Sequence, residues 1–480
     1  MRSKAQLAAA LLLAWAATAV VANAQTLPPA PASLPKGQLI PKVDAEPGES
    51  YALYIPTSYV PGRRSPILYI LDARGRAELP AKLFVAGAER YGYLVASSYQ
   101  SASDGPVAPT LKAMQAMWND THRRFTVDDK RIYVAGFSGT VRAACFMGLS
   151  VPGSLTGVVG AGAGFPYERQ PTAATPFLFF GTIGDRDFNY DEMQTLESRL
   201  TDLHLPHRIA GFSGTHQWMP EELAAGALAW FDLRAMKAGT RAKDSAEVDA
   251  LWQEDLARAR GFEAAGQPIP ALRLYSAMAD DYAGLRDPAE ARKKADEIAG
   301  SPRWKAAVRE QEAARKRDQR FLADAGRTLA GLTADNGPWS LGKVAGDLRL
   351  AELKVRAAPA KEDTEDALAA RRVLNALYVQ TGFYLPQQAI EHKHYALAAF
   401  LVEIAAEIRP DDPAIWYTLG SVHARAGLRK KAIEELQKAA DLGWSDAGEL
   451  TGDPDLESLR GDPAWPAIVE TVRRKAKEKG

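Results

Sequence analysis

Through the first half of the chain, short apolar runs alternate with longer amphipathic stretches. Residues 51–56 (YALYIP) alternate like a half-buried strand. Runs at 66–71 (PILYIL), 93–97 (YLVAS), 131–137 (RIYVAGF), 157–163, 176–181 (PFLFFG) and 207–212 (HRIAGF) follow. Helix-length stretches lie between them at 79–90, 110–125, 141–149 and 190–203. Strand and helix in this rhythm predict parallel strands joined by crossover helices, hence an α/β sheet covered on both faces.

Near Asp244 the strand-like runs stop, and Ala, Leu, Glu, Lys and Arg recur at helical spacing. Breaks are expected at Gly266, Gly300, Pro338, Pro359 and Gly382. Residues 395–442 resemble tetratricopeptide repeats, helical hairpins of about 34 residues. The resemblance rests on Trp416, Leu419, Gly420, Ala424, Gly427, Ala432, Ile433 and Ala439, with a weaker echo at 264–282.

At the other end, Arg2 and Lys4 precede an apolar run over 7–21, and Ala22-Asn23-Ala24 supplies small residues at a cleavage position. This pattern predicts a secretory signal peptide over 1–24, with Gln25 opening the mature chain. The run is short for a bilayer, which needs about 20 apolar residues, so cleavage is favoured over a permanent membrane anchor. The exported chain would then lie in a bacterial periplasm or outside the cell. Residues 26–36 (TLPPAPASLPK) are proline-rich and predict an extended spacer. The expected plan is leader 1–24, linker 25–45, an α/β domain 46–236, a helical region 237–384 and a repeat-like helical domain 385–480.

Composition narrows the function classes. The 480 residues balance 59 Lys+Arg against 59 Asp+Glu, so no cationic excess is available for nucleic-acid binding by counterion release. The single cysteine, Cys145, excludes an internal disulfide framework and a cysteine-clustered metal site, and reads as a small buried residue. His392 and His394, two apart, would face different sides of a helix, so neither a metal nor a cofactor is expected.

The segment Gly136-Phe137-Ser138-Gly139-Thr140 stands where the strand RIYVAGF gives way to the helix VRAACFMGL. A serine at such a strand-to-helix turn projects its hydroxyl at the top of a sheet, with a helix N-terminus beneath it that favours developing negative charge. Thr140 departs from the G-x-S-x-G pattern, and its bulk is expected to loosen the turn. Gly211-Phe212-Ser213-Gly214-Thr215 repeats the same five letters, but no helix starts there, so Ser213 reads as a loop residue. Serine needs an adjacent base to act as a nucleophile. His216, just after the last strand, is the candidate. Asp185 and Asp187 follow the preceding strand, completing the chain order Ser, Asp, His. One of the two is expected to orient His216 and the other to pair with Arg186, while Asn189 and Glu192 have the spacing of a capping box for the next helix.

Residues 51–231 resemble an α/β hydrolase of the exported esterase group that includes polyhydroxybutyrate-depolymerase-like and dienelactone-hydrolase-like proteins. The matching pieces are Leu71-Asp72-Ala73-Arg74-Gly75-Arg76, Ser97-Ser98-Tyr99, Ala135-Gly136-Phe137-Ser138-Gly139, Asp187-Phe188-Asn189-Tyr190 and His216-Gln217-Trp218. The resemblance implies a mostly parallel sheet with flanking helices, followed here by an all-α, tetratricopeptide-like domain. It implies a catalytic set of Ser138, His216 and Asp187, with Asp185 as the alternate acid. It further implies an oxyanion hole from the amides of Gly139 and, in the loop after the third strand, Ala73. Arg74 and Arg76 are alternatively placed to bind an anionic substrate.

The expected function is hydrolysis of carboxylic esters through an acyl-enzyme. Residues 166–175 leave no room for a large lid, and an open site suits bulky or polymeric esters. Two alternatives stand beside this reading: an amide or peptide hydrolase using the same residues, and a weak or inactive hydrolase domain whose helical repeats bind a protein or peptide partner.

Overall fold

The computed structural model describes residues 34–334, 337–359 and 364–479. The leader and most of the spacer lie outside the described residues. The chain divides into two compact units, with the division between Arg309 and Glu310.

The first unit is built on eight strands: β1 (Leu39–Glu46), β2 (Glu49–Tyr54), β3 (Ser65–Leu71), β4 (Leu94–Ser98), β5 (Val127–Phe137), β6 (Gly157–Ala161), β7 (Leu178–Gly184) and β8 (His207–Phe212). Their spatial order is β1-β2-β4-β3-β5-β6-β7-β8. The β1–β2 and β2–β4 pairs are antiparallel, and every pair from β4–β3 to β7–β8 is parallel. The sheet is therefore mixed, with a parallel body. β3 (SPILYIL) is buried at every position, as a parallel strand with helices on both faces requires.

Helices α1 (Glu78–Tyr91), α2 (Ala108–Arg124), α3 (Gly139–Ser150), α4 (Tyr190–Asp202) and α5 (Glu221–Lys237) flank the sheet. On one face, Met114 and Met117 of α2, Val141 and Ala144 of α3 and Met193 and Leu196 of α4 pack on Tyr69, Val134 and Val158. On the other, Phe84 and Ala88 of α1 and Leu228 and Phe231 of α5 pack on Leu68, Tyr133 and Val159. Residues 39–45, counted above with the linker, instead form most of the edge strand β1. Three further helices complete this unit: α6 (Ser245–Ala264), α7 (Pro268–Asp281) and α8 (Ala289–Gly300). Arg208 on β8 binds Asp255 of α6 at 2.9 Å and Asp281 of α7 at 2.8 Å.

A long helix, α9 (Pro302–Ala334), spans the division. The second unit continues with α10 (Leu341–Asp347), α11 (Leu350–Arg356), α12 (Glu365–Val379), α13 (Leu385–Glu391), α14 (Tyr395–Ile408), α15 (Pro413–Arg425), α16 (Arg429–Asp441), α17 (Ala447–Gly452) and α18 (Trp465–Lys479). This region is all-α apart from short 3₁₀ and π segments. Gly382 does not break the helical path as expected, because Gln380–Tyr384 form a π segment joining α12 to α13. His392 and His394 are not on a helix but in the turn between α13 and α14, with rings 6.3 Å apart. Among the described residues, no group of three or more His, Cys, Asp or Glu could hold a metal ion, and no helix is long and apolar enough to cross a membrane.

Candidate active site

β5 ends at Phe137 and α3 begins at Gly139, which leaves Ser138 alone to make the turn. Its backbone sits at φ 56°, ψ −129°, a conformation that costs a non-glycine residue on the order of 1–3 kcal/mol and persists only where its surroundings enforce it. Two fastenings enforce it here. The Ser138 amide donates to the Ala161 carbonyl at the end of β6 at 2.9 Å. The buried Thr140 hydroxyl lies 2.5 Å from the Leu71 carbonyl and 2.8 Å from the Phe137 carbonyl, and accepts from the Phe137 amide at 2.9 Å. Thr140 thus clamps the turn to the end of β3, where its bulk was expected to loosen it.

His216 follows β8 and reaches back across the ends of three strands. Its Nδ1 lies 2.9 and 3.0 Å from the two carboxylate oxygens of Asp187, an arrangement that holds the proton on Nδ1 and leaves Nε2 as an acceptor. Asp187 is 1% exposed and also accepts from the Asn189 amide at 2.8 Å. The imidazole packs between Phe137, the neighbour of Ser138, at 4.8 Å and Phe188 at 4.3 Å between ring centroids. Gly162 forms the floor. At φ +68°, a Cβ there would meet Asp187 Oδ2 and His216 Nδ1 and Cε1, each at 3.0 Å. Ser138, Asp187 and His216 are thus brought to neighbouring strand ends.

Asp185 stands elsewhere. Its carboxylate accepts from the Gly214 amide at 3.0 Å and from Arg186 Nε at 3.1 Å, so it shapes the loop leading to His216. Arg186 also donates to the Ser213 hydroxyl at 3.3 Å, and Ser213 lies in a loop with no helix before Glu221.

The loop after β3 is organised by Asp72, which is fully buried. The carboxylate accepts from the Arg74 and Arg76 amides at 2.9 and 3.1 Å, from the Arg76 guanidinium at 3.0 and 2.9 Å and from Trp218 Nε1 at 2.8 Å. Burial alone would raise its pKa. The hydrogen bonds from Arg76, Trp218 and the two amides outweigh burial and hold it below the usual carboxylate range. Arg76 thus binds Asp72 through Nε and Nη2 while its side chain is 42% exposed. The Ala73 carbonyl accepts from the Ser103 amide at 3.0 Å, and a Cβ on Gly139 would come within 2.8 Å of Ser103 Cβ. Ser103 thus places the Ala73 loop beside Gly139 at the N-terminus of α3. Cys145, inside that helix, is fully buried, and burial pushes its thiol well up, away from the reactive thiolate.

Parallel strands, an antiparallel start and a strained serine between β5 and α3 make one recognisable arrangement. The fold is that of an α/β hydrolase. No protein-family model matches the chain, and no curated protein matches it in sequence. Solved structures similar to it include a sugar hydrolase from Lactococcus lactis, 16% identical over 41% of this chain and 98% of that one, with a TM-score of 0.31. An S-formylglutathione hydrolase from Staphylococcus aureus is 11% identical over 43% and 99% of the two chains, with a TM-score of 0.31. An esterase from Pyrobaculum calidifontis is 13% identical over 49% and 94%, with a TM-score of 0.34. At these values the likenesses say nothing of chemistry.

Several contributors to this site escape sequence reasoning. Asn189 and Glu192 form no capping box: Asn189 Nδ2 donates to the Gly162 carbonyl at 2.8 Å, and Glu192 binds Arg142. The Asp72–Trp218 bond joins residues 146 apart in sequence. Only the adjacency of Trp218 to the candidate His216 hinted at it.

Proposed function

We propose that the protein is a serine hydrolase cleaving carboxylic esters. The observation that carries the proposal is the strained Ser138 at the head of α3, next in sequence to Phe137, whose ring packs on an imidazole held at Nδ1 by the buried Asp187.

In this reading His216 Nε2 takes the Ser138 proton as Oγ bonds to the ester carbonyl carbon. The carbonyl electron pair moves onto oxygen, and the oxyanion is met by the amides of Gly139 and Ala73 at the positive end of α3. The C–O bond to the alcohol then breaks, with His216 returning the proton to the leaving oxygen. Water repeats the sequence on the acyl-enzyme, releasing the acid and restoring Ser138. Asp187 keeps the productive tautomer and stabilises the imidazolium, and needs no proton of its own. The short connection after β6 suits a bulky or polymeric ester. The leader-like residues 1–24 support export to the periplasm or beyond, and the repeat-like helices of the second unit support a protein or peptide partner.

The test is labelling of the full-length protein with a fluorophosphonate, with the adduct mapped by mass spectrometry. Labelling is expected at Ser138, to survive Ser213→Ala and to vanish in Ser138→Ala. Asp187→Asn is expected to slow ester turnover on the order of 10⁴-fold, with a much smaller loss in Asp185→Asn. A folded protein that takes no label overturns the proposal.

A further inference from the structure

Tyr167 lies on the connection after β6 and is 69% exposed, yet its ring is held. One face rests on Arg142, with the guanidinium carbon 4.1 Å from the ring centroid, and the phenol oxygen accepts from Arg142 Nη2 at 2.9 Å. Arg142 is fixed in turn. It grips Glu192 at two points, 2.9 and 2.8 Å, and donates to the Phe165 carbonyl at 2.8 Å. Glu192 also accepts from the Gly164 amide at 3.3 Å. Such an assembly presents a flat aromatic surface to solvent with little conformational freedom left to lose on binding.

Its position relates it to the reacting centre. Arg142 follows Ser138 by four residues, one helical turn or about 6 Å along α3. Helical side chains lean toward the N-terminal end, which here is the end carrying Ser138. The connection that bears Tyr167 starts at Gly162, the floor beneath His216 and Asp187. Phe188, half-buried with its ring 4.3 Å from that of His216, supplies a second apolar surface at the same strand ends.

The charge state of the assembly selects the ligand. Glu192 neutralises Arg142, so the assembly offers no spare cation to an anionic group. A guanidinium already occupies one face of the Tyr167 ring and draws on its π density, which disfavours a second cation on the open face. A neutral aromatic ring in offset stacking is suited to that face.

We propose that Tyr167, held flat on Arg142, is the stacking platform for an aryl group of the ester substrate and sets a preference for aryl over alkyl esters. This rests on the serine-esterase reading above.

The test compares kcat/KM, followed by acid release in a pH-stat, for ethyl acetate, phenyl acetate and ethyl phenylacetate. Phenyl acetate carries the ring on the alcohol side and ethyl phenylacetate on the acyl side. A separate aliquot of wild type, Tyr167→Ala and Tyr167→Phe is checked for labelling at Ser138, and unlabelled protein is assayed. Tyr167→Ala is expected to lower the preference for at least one aryl ester over ethyl acetate by about 2- to 12-fold, the range for an aromatic pair, while Tyr167→Phe keeps it. Which aryl ester responds tells which side of the ester meets the platform. Unchanged preference for both aryl esters in a Tyr167→Ala protein whose separate aliquot labels at Ser138 overturns this inference alone, as does an equal loss on all three esters. Failure of the wild type to label at Ser138 overturns the hydrolase reading and this inference with it.

Discussion

Thr140 shows how one hydroxyl settles whether a turn is slack or tight. Glycine at that position gives an elbow room to close but nothing to fasten it. Threonine fills the space, and its hydroxyl engages the Leu71 carbonyl together with the amide and carbonyl of Phe137. Leu71 is the last residue of β3, and Asp72 and Ala73 follow it, so the clamp also steadies the loop after β3. Thr140→Val keeps the shape and removes the hydroxyl, leaving buried backbone groups without that partner. Such a loss costs about 1–3 kcal/mol. Urea unfolding is expected to show destabilisation of this size, with a smaller loss in Thr140→Ser. A Thr140→Val protein as stable as wild type would mean that the steric fit, and not the hydroxyl, holds the elbow.

At the scale of elements, legibility in the sequence followed burial. Strands β3, β4, β6, β7 and the second half of β5 stood out because parallel strands covered on both faces are almost wholly apolar, and the helices between them kept a 3.6-residue period. β1 did not, because it is an edge strand: Pro41 interrupts it, and most of its residues are partly or fully exposed. Gly382 was misread because a π segment absorbs it without ending the helix. The serine, histidine and two aspartates were visible because strand ends are marked by local letters. Arg142, Glu192 and Tyr167 were not, because their contacts join residues 25 to 50 apart and leave no local pattern.

The joint between α5 and α6 carries a pH dependence of the same non-local kind. Asp232, buried on α5, pairs with Arg241 in the connection and lies 3.9 Å from Arg131 on β5, while Arg241 binds Glu247 on α6 at 2.6 Å. Burial, the largest influence, pushes the Asp232 carboxyl up to about 7 against the pull of Arg241, with Glu247 pushing the same way as burial. An unfolded aspartate titrates near 4. Between roughly pH 4 and 7 the folded chain therefore holds a proton that the unfolded chain has released. Stability is expected to fall as pH rises through that window, by at most about 1.4 kcal/mol per pH unit, and to level off above it. Urea midpoints measured from pH 4.5 to 8 are expected to lose that slope in Asp232→Asn. A slope that persists undiminished in the variant would assign it to other groups.

For the whole molecule, the distribution of apolar burial matters more than its total. The clusters on the two faces of the sheet and among α6, α7 and α8 draw only on residues up to Ile298. The main cluster of the second unit begins at Phe321 and centres on α14, where Leu401 is fully buried. Each unit thus has apolar cores made from its own residues, the condition for a domain to unfold as its own cooperative step. Leu401→Ala removes a buried side chain from the second unit and is expected to cost about 2–5 kcal/mol there. In urea, followed by circular dichroism, one transition is expected to move to lower denaturant while another stays in place. Sites in separate apolar clusters that share no partner add nearly independently, so the rate of fluorophosphonate labelling at Ser138 under native conditions is expected to match wild type. A single transition that shifts as a whole, with labelling slowed in step, would instead make the helical unit part of what holds the strained serine.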